Sequence, residues 1–170
     1  MRAIFARIGC VTTLNATLIQ DFTCNFQKSA RTIHGLVEPL TEDQIWTNPY
    51  TYGNSIGNLV LHLTGNLNYY LGAEMGGTGY VRNRPLEFEP ASRIAKAELL
   101  KQFDDAIAVV AAVLAKQSEG DWGTAYSAKG LEEIGDRFSM ILQCAAHLYH
   151  HTGQIMYLVK ELKKQHLTTD

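Results

Sequence analysis

Apolar residues recur at helical spacing along four long stretches that contain no internal proline. The first runs from about Leu14 to Val37, with Leu14, Leu18, Phe22, Phe26, Ile33 and Val37 on one stripe. Pro39 and the Thr41-Glu42-Asp43 cluster end it. The second opens after Asn48-Pro49 and the turn-prone Gly53-Asn54-Ser55 and continues to about Leu71. The third begins after Pro90, with Ser92 as the expected N-cap, and reaches about Lys116. The fourth, from about Asp136 to Lys164, is the longest uninterrupted pattern in the chain.

Two irregular segments, from Gly72 to Pro90 and from Gln117 to about Gly135, separate the later helices. Each is short and carries large residues such as Phe88 and Trp122, so neither reads as a linker between domains. There is no internal repeat. At 170 residues the chain is expected to form a single domain, residues 1–170. Its class is all-α, and its architecture a four-helix bundle with long crossover loops.

Composition narrows the function. With 46% hydrophobic and 19% charged residues, the chain has enough apolar material to build a core unaided. A metal site would then serve function more than folding. The 15 basic and 17 acidic residues are interspersed, and no basic block offers the concentrated positive surface that nucleic acids require. No nucleic-acid partner is expected. Lys160, Lys163 and Lys164 suit the C-terminal end of a helix, where cations meet the dipole. The three cysteines, Cys10, Cys24 and Cys144, are odd in number, far apart and in no C-x-x-C arrangement. That usage fits a reducing compartment, and a cytoplasmic location is expected. Arg2 and Arg7 precede Gly9-Cys10 in a lipoprotein-like order, but the apolar stretch between them is far too short for a signal segment. No run approaches a membrane span, and no membrane partner is expected.

The candidate chemistry lies in the histidines. His147 and His151 stand four residues apart in the fourth helix, so both imidazoles lie on one face and can reach one ion. His150 points about 60° to the other side of His147 and is left out. In the second helix, Ser55, Asn58, Asn66 and Tyr69 fall within about 40° of His62, a polar stripe beside Leu59, Leu63 and Tyr70. In the fourth, His147, His151 and Gln154 border Ile141, Leu148, Ile155 and Val159. Packing these apolar faces together would bring three histidines to one cleft. Spacing alone leaves a second reading open, since an i, i+4 histidine pair also arises without function and a lone helical histidine is usually a packed, hydrogen-bonded side chain. The di-iron motif is absent, because the positions three before each histidine hold Leu59, Cys144 and Leu148. The zinc-protease motif fails at Leu148.

The segment Asn54-Ser-Ile-Gly-Asn-Leu-Val-Leu-His62-Leu-Thr-Gly-Asn66-Leu closely resembles the DinB-like superfamily. So does Ala146-His147-Leu-Tyr-His-His151-Thr-Gly-Gln154-Ile. Leu40-Thr-Glu-Asp-Gln-Ile-Trp46 and Arg82-Asn-Arg-Pro-Leu-Glu-Phe88 match the same family at the corresponding places. The resemblance implies a commonly dimeric four-helix bundle in which His62, His147 and His151 hold one divalent transition metal, zinc or nickel, with open coordination positions. It also implies a metal-dependent enzyme of the thiol-dependent transferase or isomerase type, or a hydrolase, using a low-molecular-weight thiol or water. The alternative is a non-catalytic metal-binding or stress-response interaction protein. A small-molecule substrate is the expected partner besides a second copy of the chain. Asn58, Asn66 and Tyr69 are the expected ligand-pocket residues, with helix packing as their other reading. Gln154 is expected to support a ligand or to pack between helices rather than to bind the ion itself. Arg82, Arg84 and Glu87 read as loop salt bridges, with recognition of a charged substrate as the other choice.

Overall fold

The computed structural model describes residues 12–167, so Arg2, Arg7 and Cys10 lie outside the described residues. The described chain is helical, with one isolated backbone bridge between Ala125 and Asp136. Helix α1, Leu14–Val37, matches its expected span. The Thr13 hydroxyl caps it by accepting from the Ala16 N–H at 3.2 Å. Its buried face runs through Phe26, Ala30, Ile33 and Val37. Leu14, expected on that stripe, is instead 68% exposed, because it lies in the first turn at the helix end.

A short helix α2, Glu42–Trp46, occupies the place where the sequence suggested only a terminator. A reciprocal box closes its start. Thr41 Oγ1 accepts from the Gln44 N–H, and Gln44 Oε1 accepts from the Thr41 N–H. The Trp46 ring then lies directly on the backbone of Gly57, where a Cβ would collide with it. Helix α3, Ile56–Leu67, is capped by Ser55 and runs into a π-helical turn, Asn68–Ala73.

Helix α4 spans Lys96–Ala115 and is not capped by Ser92. Pro90–Ser92 form a separate 3-10 turn, and Ala95 at the cap position makes no side-chain bond. The Glu42 carboxylate supplies the cap from α2, accepting from the Lys96 N–H at 3.0 and 3.1 Å. Lys96 Nζ returns the tie by donating to the carbonyls of Glu38 and Leu40. Helix α5, Arg137–Leu167, is the longest, and Asp136 closes its first turn by accepting from the Ser139 N–H at 2.7 Å.

Helix α1 packs against α4 and α5, and α3 packs against the same two, which makes a four-helix ring. Ile33, Leu63, Phe103, Met140 and Ile141 meet inside it with no exposed surface. Each such side chain contributes roughly 1.5–3 kcal/mol through burial. The packing of α3 on α5 is the contact that matters next, because each carries histidines along its seam. No described helix is long and apolar enough to cross a membrane.

Candidate metal centre

His62 projects from the middle of α3, while His147 and His151 project from consecutive turns of α5. His62 Nε2 lies 3.2 Å from His147 Nε2, and His151 Nε2 lies 3.0 Å from the same atom. One nitrogen from each of the three residues falls within 4.8 Å of the others, a group that can hold a metal ion. Nitrogens bound to one ion at about 2.0–2.1 Å sit roughly 3.0–3.4 Å apart, so the spacing suits a shared cation.

The far sides of the His62 and His151 rings favour a lone pair on their inward Nε2 atoms. His62 Nδ1 donates to Glu87 Oε2 at 2.7 Å. His151 Nδ1 donates to Gln154 Oε1 at 2.7 Å, and the Gln154 amide nitrogen donates in turn to His150. Both bonds favour the tautomer that leaves a lone pair on Nε2, although Arg82 Nη2 also lies 3.2 Å from His62 Nδ1. His147 Nδ1 is buried without a partner. Its Nε2 could donate a proton to one neighbour only, whereas a cation between the rings satisfies all three lone pairs. The donor set therefore fits a divalent transition ion, and neutral imidazoles favour intermediate metals over calcium or magnesium.

Glu87 is the residue that spacing could not connect to the histidines. It sits in a 3-10 turn, Arg84–Glu87, far from α3 in sequence, yet it is buried against His62. Arg82 grips it with two bonds, Nε to Oε1 at 2.6 Å and Nη2 to Oε2 at 2.9 Å. The Arg82–Glu87 pair is thus the salt bridge expected of this loop, but it is buried and its carboxylate also orients His62. Asn58 helps hold the turn on α3 by donating from Nδ2 to the Glu87 carbonyl at 3.0 Å. Gly65, one turn from His62, leaves the space Glu87 occupies, since a Cβ there would run into its carboxylate.

Burial alone would raise the Glu87 pKa, but the hydrogen bonds from His62 and Arg82 outweigh it and hold the carboxyl below its ordinary value. Burial pushes the His147 pKa down to about 3, with the neighbouring His151 and His62 adding to the effect. Burial also lowers His151. These two imidazoles are consequently neutral at neutral pH, the form a metal requires.

The cluster opens into a cleft of about 790 Å³. Asn66 and Tyr69 line it, as do Tyr70, Tyr80, Arg84, Lys129, Leu131 and Cys144. Asn58 does not, because its amide is engaged by Glu87 and Ser55 below the cleft wall. His150 faces a separate groove beside Tyr50 and Tyr157. Burial raises the Cys144 thiol to about 12, which makes it an inert wall residue. Burial, with the nearby Glu74 carboxylate, raises Tyr69, whose phenol is a donor at neutral pH.

A family model described as "Protein of unknown function (DUF1572)" matches residues 14–169. No curated protein matches the chain. Among solved structures, the chain is similar to the crystal structure of a conserved protein from Enterococcus faecalis, with a TM-score of 0.69. The two are 14% identical over 85% of this chain and 96% of that one, a likeness of fold.

Proposed function

The chain belongs to the DUF1572 family, a DinB-like family, and from that premise we propose that it binds one divalent transition metal for small-molecule chemistry. The ligands in this reading are His62, His147 and His151, and the ion is zinc or nickel. The observation that carries it is the convergence of three imidazole nitrogens at 3.0 and 3.2 Å with the outer nitrogens of His62 and His151 already engaged.

When bound, an ion held by three neutral imidazoles keeps its full charge and open positions, and so lowers the pKa of a thiol or water. The chain's own residues do the rest. Glu87 fixes the His62 ring and Gln154 the His151 ring. Arg82 neutralises Glu87, so the net charge at the site comes from the ion. Tyr69 offers a protonated phenol on the cleft wall. This arrangement suits a thiol-dependent transferase or isomerase, or a hydrolase. Metal analysis of purified protein tests the reading, with about one zinc or nickel expected per chain. His62→Ala, His147→Ala and His151→Ala should each greatly weaken binding, while His150→Ala should not. Thiol titration of the cobalt-substituted site, followed by its absorption bands, should perturb the spectrum. Tight metal retention by His147→Ala protein, or a spectrum silent to thiols, counts against it.

The same reading includes a cytoplasmic homodimer. Leu142, Tyr149 and Met156, seven residues apart on α5, are 51%, 46% and 41% exposed, an apolar stripe that a second copy would cover. Light scattering at high micromolar concentration should give twice the chain mass. A strict monomer there would remove the dimer.

A further inference from the structure

Among the described residues, the buried side-chain atoms without a hydrogen-bond partner are Ser29 Oγ, Asn66 Oδ1 and His147 Nδ1. Two of these three residues line the cleft. The histidine belongs to the metal reading through its other nitrogen, Nε2. Asn66 does not. Its residue is only 7% exposed, it stands one turn from His62 on α3, and its carboxamide makes no side-chain hydrogen bond among the described residues. Buried carboxamides are nearly always satisfied, so one left unpartnered in a residue of the cleft lining points to a group that the cleft takes up. Its buried oxygen requires a donor.

The other walls restrict what can enter. Tyr69 and Leu131 supply flat and apolar surface. Arg84 and Lys129 stand on the cleft lining, and neither forms an ion pair among the described residues; Arg84 rests on the Phe88 ring at 5.6 Å. Arg82 is already neutralised by Glu87. Glu74, the remaining acid of the lining, faces the Tyr69 phenol. Leaving the histidines aside, the free charge of the walls is therefore positive. The volume of about 790 Å³ lies within the range of pockets that enclose a drug-sized molecule.

We propose that the cleft is a binding site for a small organic anion with an apolar or aromatic body. Asn66 accepts from an N–H or O–H of that molecule, and Arg84 and Lys129 hold its carboxylate or other acidic end. This assignment rests on the proposed metal reading only for the anchoring end of the molecule. Asn66, Arg84 and Lys129 recognise the remainder.

The test uses cobalt-loaded protein and three probes: benzohydroxamate, 4-carboxybenzohydroxamate and N-methylbenzohydroxamate. Cobalt stoichiometry is measured first, so failure of the metal reading shows there and nowhere else. On the loaded protein, the carboxylated probe should bind about tenfold tighter than benzohydroxamate, and N-methylation should weaken binding about tenfold, each tenfold step being roughly 1.4 kcal/mol. Arg84→Gln combined with Lys129→Gln should erase the carboxylate preference while leaving the N-methyl penalty. Asn66→Leu should erase the N-methyl penalty. Equal affinity for all three probes, or preferences that survive these substitutions, would overturn the proposal. Thermal melts of metal-free protein give an independent arm. A carboxamide kept open for a ligand stabilises nothing in its absence, so Asn66→Leu should melt at the same or a higher temperature than the parent chain. A lower melting temperature would make Asn66 a structural residue and sink its part in recognition.

Discussion

Two clusters of aromatic and polar side chains close the bundle in different ways. Around Trp122, Phe22 stacks at 6.1 Å and Phe138 meets the ring edge-on at 6.3 Å. Trp122 Nε1 donates to Asn15 Oδ1 at 2.7 Å, and Asn15 Nδ2 donates to the Gln117 carbonyl at 3.2 Å. The Asn15 carboxamide is thus used at both ends. Around His62, three ring nitrogens face one another, His147 Nδ1 has no partner, and the Asn66 carboxamide is open. The first cluster is complete as a protein structure. The second leaves buried polar atoms without a partner. The half-buried Asn15 on α1 is satisfied within the protein, whereas the buried oxygen of Asn66 on α3 is not.

Trp122→Ala should break this contrast most severely on the structural side. Removing a buried tryptophan costs about 3–5 kcal/mol, which for a chain of this size lowers the melting temperature by roughly 10 °C. Chelation of the metal should do far less, leaving a helical protein that melts cooperatively and loses only the stabilisation of ligand linkage. Circular dichroism melts of the variant and of the chelated protein decide between them. If chelation unfolds the chain, the histidine cluster is a structural staple and the contrast disappears.

A smaller effect sharpens the second cluster from outside the ligand set. Glu87→Gln should weaken metal affinity by about 10–100-fold, the usual size for loss of a carboxylate that orients a ligand histidine. Gly65→Ala retains the carboxylate but fills its space, and should act in the same direction. Competition with a zinc chelator measures both. Parent-like affinity in the two variants would show that Glu87 only balances Arg82.

The division between sequence and tertiary structure follows from the range over which each interaction acts. Helix periodicity is local, so the spans of α1 and α5 and the shared face of His147 and His151 were legible in the chain. So was the absence of His150 from the three-histidine group, which a rotation of about 60° per three-residue step already implied. The polar stripes beside the apolar faces suggested His62 as the third member, and the family resemblance joined it to that pair. Capping was legible only where the cap was local. Thr13 and Ser55 serve their own helices, whereas α4 takes its cap from Glu42 on α2 across the bundle, and Ser92 was a false signal. Asn66 and Asn58 lie on the same polar stripe of α3, yet Asn66 reaches the cleft while Asn58 is occupied by Glu87 and Ser55. Helical angle cannot separate them, because the difference lies in what a distant loop brings against the stripe. Glu87 is the clearest case. Its role depends on a non-periodic turn folding back onto α3, on Arg82 neutralising its charge and on Gly65 leaving room. Those three conditions meet only in space.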